Sequence, residues 1–352
     1  MATILDSLTF DDVLLVPNYN PIESRRDVST AVELGTYKFN IPLISANMDT
    51  ITGKDMAFTM GAVLGGLGII HRFQTPDAQG REWDSAYASG QGYPVGVAVG
   101  VSDVAEVKRA EHLYSLGARL FCIDIAHAHS KLMGKMLKRL RDWPDVFIIA
   151  GNVATYSGAD SLASWGAHAI KVGIGAGSVC TTREKTGFGV PQLTAIMDCA
   201  KVDVPIIADG GIRKPGDVVK ALAAGATMVM LGGMIAGTDE TPGEMTCSER
   251  CEPQPCDCPQ KFRRYRGMAS TEAQTDYFGT VADWKTDEGV AMWLKAQGPV
   301  ENIVNDVIGG LRSGLTYAGA RNIKELHRKA TFVRISTATH IEGTPHQGLA
   351  RD

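Results

Sequence analysis

The chain has 352 residues, 44% hydrophobic and 21% charged, enough for a large buried core and not the composition of a disordered polymer. A formal net charge of −4, with Lys and Arg scattered and no block of like charge, excludes the basic stripe that nucleic-acid binding needs, so a small-molecule partner is expected. No apolar stretch approaches the ~20 residues of a membrane span, MATILDSLTFDDVLLVP does not read as a signal peptide, and the seven cysteines are an odd count; these point to reduced thiols in a cytoplasmic protein without a membrane partner.

In chain order, eight short β-branched apolar runs each close on Gly, Asn, Asp or His. They begin at Pro42 (PLISANM), Gly65 (GGLGIIH), Val95 (VGVAVGV), Leu120 (LFCIDIAH), Val146 (VFIIAGNV), Ala169 (AIKVGIG), Pro205 (PIIADGG) and Met228 (MVMLGGM). Near-continuous apolarity indicates strands buried on both faces, and the segments between them, such as DVAEVKRAEHLYSLGA and KPGDVVKALAAGA, have helical periodicity. Eight such units predict an α/β fold of the (β/α)8 TIM-barrel type: one catalytic domain over 1–352 with N- and C-terminal extensions. An open doubly wound sheet is disfavoured, because no GxGxxG follows the first strand.

In a TIM barrel the active site lies at the C-terminal ends of the strands, which groups Asn47, Asp49, His71, Asp124, His127, Asn152 and Asp209 as pocket candidates. Each alone could merely cap the helix that follows. The longest gap, after the sixth strand, holds GAGSVCTTREKTGFGVPQ, where Cys180 sits among Gly and Ser and is followed by Thr181, Thr182 and Arg183. A nucleophilic role and a small hydrophobe under a loop are both open for it, whereas Cys122 and Cys199, inside apolar runs, read as core. Asp209-Gly210-Gly211 and Gly232-Gly233 end the seventh and eighth strands, the position where barrels often bind phosphate through backbone N–H groups.

A Cys- and Pro-rich insert spans 244–261, and a Gly- and polar-rich segment over 267–298 reads as a mobile flap. Cys247, Cys251, Cys256 and Cys258 could supply four thiolates to zinc, but their spacings are not those of the usual knuckles, and a peripheral excursion is expected.

Taken in order, LTFDDVLLVP, ISANMDT, KVGIGAGSVCTTR, KTGFG, IIADGGIRKPGDVVKALAAGA, VMLGGM, YRGMAS and IGGLRS resemble the IMP dehydrogenase/GMP reductase family across nearly the whole chain. The resemblance implies that Cys180 attacks C2 of a purine nucleotide, giving a covalent thioimidate, with Thr182 and Glu288 as a proton relay. It implies substrate contacts for GMP or IMP from Ser178, Asp209, Gly210, Gly211, Gly232, Gly233, Gly267, Met268, Ala269, Lys285 and Gly289. Nicotinamide-cofactor contacts fall on Arg72, Asp124, Ala126 and Gly175, with Ser24, Ser313, Gly314, Leu315 and Thr316 reaching from a neighbouring subunit of a homotetramer. Backbone carbonyls of Gly175, Gly177 and Cys180 would hold K+.

Two features resemble the reductase branch. The interval from His71 to Val95 leaves no room for a CBS insert. The segment GMASTEAQTDYFGTVADWKTDEG is similar to the reductase flap in length and places Asp276 where the dehydrogenase carries an Arg that activates water. The expected activity is therefore reductive deamination of GMP to IMP with NADPH, in nucleotide salvage; IMP dehydrogenase and a silent nucleotide-binding barrel are the alternatives. Ala176 in place of the usual Pro, and Trp284-Lys285 in place of a Tyr-Arg pair, depart from the pattern.

Overall fold

The computed structural model describes residues 3–102, 104–247, 260–280, 284 and 286–343. Eight parallel strands close into a barrel: β1 (Leu43–Ser45), β2 (Leu67–Ile70), β3 (Val95–Val99), β4 (Leu120–Asp124), β5 (Phe147–Val153), β6 (Ala169–Val172), β7 (Ile206–Asp209) and β8 (Met228–Leu231). Each pairs with its sequence neighbour, and Val229, Met230 and Leu231 of β8 close the ring against Leu43, Ile44 and Ser45 of β1. All eight coincide with the apolar runs. β1, β2, β3, β6 and β8 are buried at every position, as expected of strands covered by helices outside and by side chains inside.

The covering helices are α1 (Lys54–Phe58), α2 (Pro76–Ser89), α3 (Ala105–Leu116), α4 (Lys131–Leu140), α5 (Tyr156–Ser164), α6 (Thr182–Thr186), α7 (Gln192–Cys199), α8 (Pro215–Ala223), α9 (Thr271–Phe278) and α10 (Val300–Tyr317), of which α6 and α9 belong to active-face loops. Local chemistry sets several starts. Thr75 accepts from the Ala78 N–H ahead of Pro76, and Ser130 and Thr155 cap α4 and α5 in the same way. Only α2 separates β2 from β3, so no domain is inserted there.

An antiparallel sheet stands beyond β8: β9 (Thr246–Cys247), β10 (Lys261–Arg266) and β11 (Ala291–Lys295). Cys247 pairs with Lys261, so the Cys-rich insert leaves β10 at the end opposite Tyr265 and Arg266. Cys247 is buried; Cys251, Cys256, Cys258 and Lys285 lie outside the described residues. No described helix is long and apolar enough to cross a membrane.

Candidate active site

A cavity of about 500 Å³ opens at the C-terminal ends of the strands. Its wall includes Arg72, Asp124, Ala126, Asn152, Gly175, Gly177, Ser178, Cys180, Thr182, Asp209, Gly210, Gly211, Gly232, Gly233, Gly267, Met268, Ala269 and Glu288, so residues from most strands and the flap meet there. Gly289 lies beside it, bridged to Cys180.

Cys180 and Glu288 are 108 positions apart in sequence but are held together by main chain. Thr181 N–H donates to Glu288 O at 3.0 Å and Val290 N–H to Val179 O at 3.0 Å, a short antiparallel bridge between the β6 loop and the segment entering β11. Across that bridge the side chains form a one-way chain: Cys180 Sγ donates to Thr182 Oγ1 at 3.1 Å, and Thr182 Oγ1 donates to Glu288 Oε2 at 2.8 Å. All three side chains are partly exposed, in reach of a ligand. A thiol, a hydroxyl and a carboxylate in this order can carry a proton away from sulfur and return it.

At the next corner Ser178 Oγ hydrogen-bonds Tyr265 Oη at 2.9 Å, beside Gly232 and Gly233. A Cβ on Gly233 would lie 2.5 Å from Ser178 Oγ, so a side chain there would push the Ser178 hydroxyl off Tyr265. Gly210 and Gly211 both have positive φ, 94° and 77°, turning the β7 loop back toward Ala176. Small residues, hydroxyls and open backbone suit a phosphate.

Beneath the cavity lies a buried polar layer that runs through Lys171. Its ammonium donates to Asp124 Oδ1 at 2.9 Å, to Asp209 Oδ2 at 2.7 Å and to Asn152 Oδ1. Asn47 Nδ2 donates to the other Asp124 oxygen at 2.6 Å, and Asn152 Nδ2 donates to Asp209 Oδ2 at 3.0 Å. Burial pulls the Lys171 ammonium down, but the two carboxylates outweigh it and leave it raised. Burial likewise pushes the Asp124 carboxyl up, and the charge and hydrogen bond of Lys171, with Asn47, reverse this and hold it below the ordinary range.

The flap helix α9 is docked over the mouth. Tyr277 stacks on Phe73 at 4.9 Å between centroids and accepts a hydrogen bond from Arg109 Nη2 at 2.6 Å. Arg266 donates to Asp49 Oδ2 at 2.6 Å, Glu272 Oε1 at 3.0 Å and Asp276 Oδ2 at 2.5 Å. The helix turns Gln274 and Phe278 toward the cavity, while the Asp276 side chain is 62% exposed.

Several sequence candidates stand elsewhere. Asp49 is taken up by Arg266, His71 is buried outside the cavity wall, and His127 is exposed and meets His129 edge-on. Burial, with Arg109 and Arg266 nearby, lowers the His71 pKa to about 4, so the ring is neutral. Asn47 reaches the site through Asp124. Ser24 caps a short 3-10 helix packed against α10 and, like Ser313, Gly314, Leu315 and Thr316 of α10, is not part of this cavity's wall; Leu315 is fully buried and Thr316 nearly so. Lys171, Tyr265, Phe73 and Arg213 line the cavity without having been singled out. Tyr265 had a signal, being in the YRGMAS motif, and Lys171 opens the quoted KVGIGAGS.

Among the described residues no three His, Cys, Asp or Glu side chains gather as a metal site. For K+ the donors would be main-chain carbonyls: Gly177 O accepts the Cys180 N–H at 3.1 Å and keeps a second lone pair, which fits a hard cation. Arg72 over the Phe73 ring, with Ala126 and Phe278 on the same cavity, offers the cation and flat apolar surface that a nicotinamide cofactor fits.

A model of the IMP dehydrogenase/GMP reductase domain matches residues 7–346. GMP reductase of Klebsiella pneumoniae subsp. pneumoniae is 40% identical, over 93% of this chain and 94% of its own length. Among solved structures, inosine 5'-monophosphate dehydrogenase from Legionella pneumophila is 52% identical, covers 95% of this chain and 99% of its own, and superposes with a TM-score of 0.83. GMP reductase of Trypanosoma brucei, a cysteine-to-alanine variant in complex with guanosine 5'-monophosphate, is 30% identical over 99% of both chains with a TM-score of 0.88.

Proposed function

This chain belongs to the IMP dehydrogenase/GMP reductase family, and within it we propose that it is the reductase, converting GMP to IMP and ammonia with NADPH. The coarser statement, an oxidoreductase of purine metabolism, follows from the family. The observation that carries the finer one is the face α9 turns to the cavity: an amide, Gln274, and a benzene ring, Phe278. Neither is a base for water, and Asp276, which replaces the dehydrogenase's Arg by resemblance, points outward to Arg266.

In this reading the Cys180 thiol proton passes through Thr182 to Glu288 as sulfur bonds to C2 of GMP. The C2–N bond then breaks, and the same proton, returned along the relay, leaves with ammonia. Thiol plus amine becomes thioimidate plus ammonia, so this half balances without a redox change. NADPH, when bound, supplies the hydride that takes the vacated position on C2. The C2–S bond breaks as IMP forms, and Cys180 regains a proton. Gly210, Gly211, Gly232, Gly233 and Ser178 hold the phosphate, Asp209 the ribose, and Met268, Ala269, Gly289 and Lys285 the base. Arg72, Asp124, Ala126 and Gly175 would hold the cofactor, completed by Ser24, Ser313 and Gly314 of a neighbouring copy in a homotetramer, with K+ on the Gly175, Gly177 and Cys180 carbonyls; Leu315 and Thr316, buried within their own chain, would support α10 instead.

The 52% identity to the Legionella protein favours a second reading, IMP dehydrogenase. One spectrophotometric comparison separates the two: GMP should oxidise NADPH, and IMP should reduce NAD far more slowly or not at all. Rapid XMP formation from IMP and NAD, with no NADPH oxidation on adding GMP, makes the chain the dehydrogenase.

A further inference from the structure

Lys171 occupies a position that neither ligand accounts for. It is 3% exposed on β6 and lines the base of the cavity between Asp124 and Asp209. An ammonium has three N–H donors, and Lys171 spends all three on protein: Asp124 of β4, Asn152 of β5 and Asp209 of β7. None remains for a ligand. Asn47, after β1, completes the layer by holding the second oxygen of Asp124. One cation thus fixes two carboxylates from strands on either side of it, and each carboxylate is left with an edge toward the cavity, Asp124 being 25% and Asp209 23% exposed at the side chain.

We propose that Lys171 is a positioning residue shared by both ligand sites, holding Asp209 toward the nucleotide ribose and Asp124 toward the nicotinamide cofactor, so that one buried charge sets the geometry of both. The proposal rests on the functional reading above for the identity of the ligands. Its physical basis is independent of that reading. Without the ammonium the two carboxylates, 2.9 and 2.7 Å from a single Nζ, lose the charge they share, and like charges at such a distance cannot both stay ionised without cost. The other ionisable groups facing the cluster are Cys122 on β4 below it, Arg72 on the Asp124 side and Tyr265 on the Asp209 side. Of these, Arg72 alone carries a positive charge, and none is an acceptor of Lys171's hydrogen bonds.

Lys171→Met tests this. GMP affinity, measured by calorimetry without cofactor, should fall about 10- to 100-fold, the order seen when a residue that orients a binding group is removed, and the KM for NADPH should rise together with it. GMP affinity should also become pH-dependent in the variant, falling as the pH rises and the second carboxylate ionises, while wild type stays flat across the same range. The charge-balanced pair Lys171→Met with Asp124→Asn removes one cation and one anion. It should recover most of the GMP affinity and lose the new pH dependence, while the NADPH KM remains raised. The rate of Cys180 alkylation by iodoacetamide, on the loop that follows β6, should match wild type in both, which a general loss of structure would not allow. If Lys171→Met does not fold, the charge-balanced pair still reads out the split between GMP and NADPH. Wild-type GMP affinity in Lys171→Met, or a charge-balanced pair that recovers nothing, overturns the proposal. Wild-type protein that binds neither GMP nor IMP overturns instead the functional reading beneath it.

Discussion

Replacing Thr182 with Ala removes the middle of the hydrogen-bonded chain, and replacing Glu288 with Gln removes its end. In the structure the chain is two bonds long, 3.1 Å from Cys180 Sγ to Thr182 Oγ1 and 2.8 Å from there to Glu288 Oε2, and among the described residues no side-chain hydrogen bond links Cys180 to Glu288 around Thr182. Either substitution should therefore stop the same proton, and each should slow GMP turnover by roughly 10²- to 10⁴-fold, the range for a positioned proton transfer, or about 3 to 5 kcal/mol of barrier. Because the two act on one proton, the double variant should lose little more than the worse single one. Local structure should survive, since the bridge that joins the two segments is main chain: Thr181 N–H to Glu288 O and Val290 N–H to Val179 O. The assay is NADPH oxidation with saturating GMP, alongside GMP affinity by calorimetry to show that binding is kept. Losses that multiply in the double variant would mean that Thr182 and Glu288 work on different steps and that the chain is not a relay.

Cys180→Ala should abolish turnover while GMP still binds, because Asp209, Gly210, Gly211, Gly232 and Gly233 come from β7 and β8 and their loops, with Ser178 alone on the Cys180 loop; substantial residual turnover would rule out covalent catalysis by this thiol. Replacing Cys247, Cys251, Cys256 and Cys258 together with Ser should leave activity near normal, since β9 and β10 are joined through the insert at the end away from Tyr265; loss of bound zinc together with activity would show a functional metal site. His71 titrates in the unfolded chain at its ordinary 6.5 but only at about 4 in the fold, so between these values the unfolded state holds more protons and stability falls as the pH drops. His71→Asn should flatten the acid limb of the melting temperature from pH 6.5 to about 4, removing a contribution of at most about 3 kcal/mol; an unchanged limb would mean that the ring is protonated in the fold.

The barrel was legible because a fully buried parallel strand leaves a mark in one dimension: runs such as VGVAV and MVML have no polar face, and every one of them became a barrel strand. That the loop glycines and Cys180 would share one cavity was legible from their places at strand ends. What local pattern does not carry is which strand-end side chain meets which. Asp49 and Asp124 look alike in sequence, yet one is neutralised by Arg266 under the flap and the other faces the cavity from Lys171. Lys171 itself, one cation within an apolar run, has no local sign of its three partners, because they come from β4, β5 and β7. The pairing of Cys180 with Glu288 is also a matter of tertiary register, an isolated bridge between Cys180 and Gly289 far apart in the chain, and only the family resemblance had joined them.

The direction of the reaction turns on what second reagent the closed site admits to C2. Water must lose a proton to attack, so a hydrolytic route needs a base at the mouth, whereas hydride arrives without one and needs water kept out. The described face of α9 is built for the second requirement. Phe278 packs edge-on against both Phe73 and Tyr277, with ring centroids 5.8 and 4.7 Å apart, so Phe73 and Phe278 line one side of the cavity with Tyr277 packed behind them. Arg109, whose side chain is 3% exposed, ties Tyr277 down from below, and Arg266 ties Asp276 to the rim. The anchoring arginines thus tie the flap to the barrel, Arg109 joining Tyr277 to Gln79 and Arg266 joining Asp276 to Asp49, and neither lines the cavity. Among the described residues, a flap held by aromatic packing and by an acid tied to Arg266 turns no water-activating base toward the cavity, and this supports the proposed reductive route over the hydrolytic one.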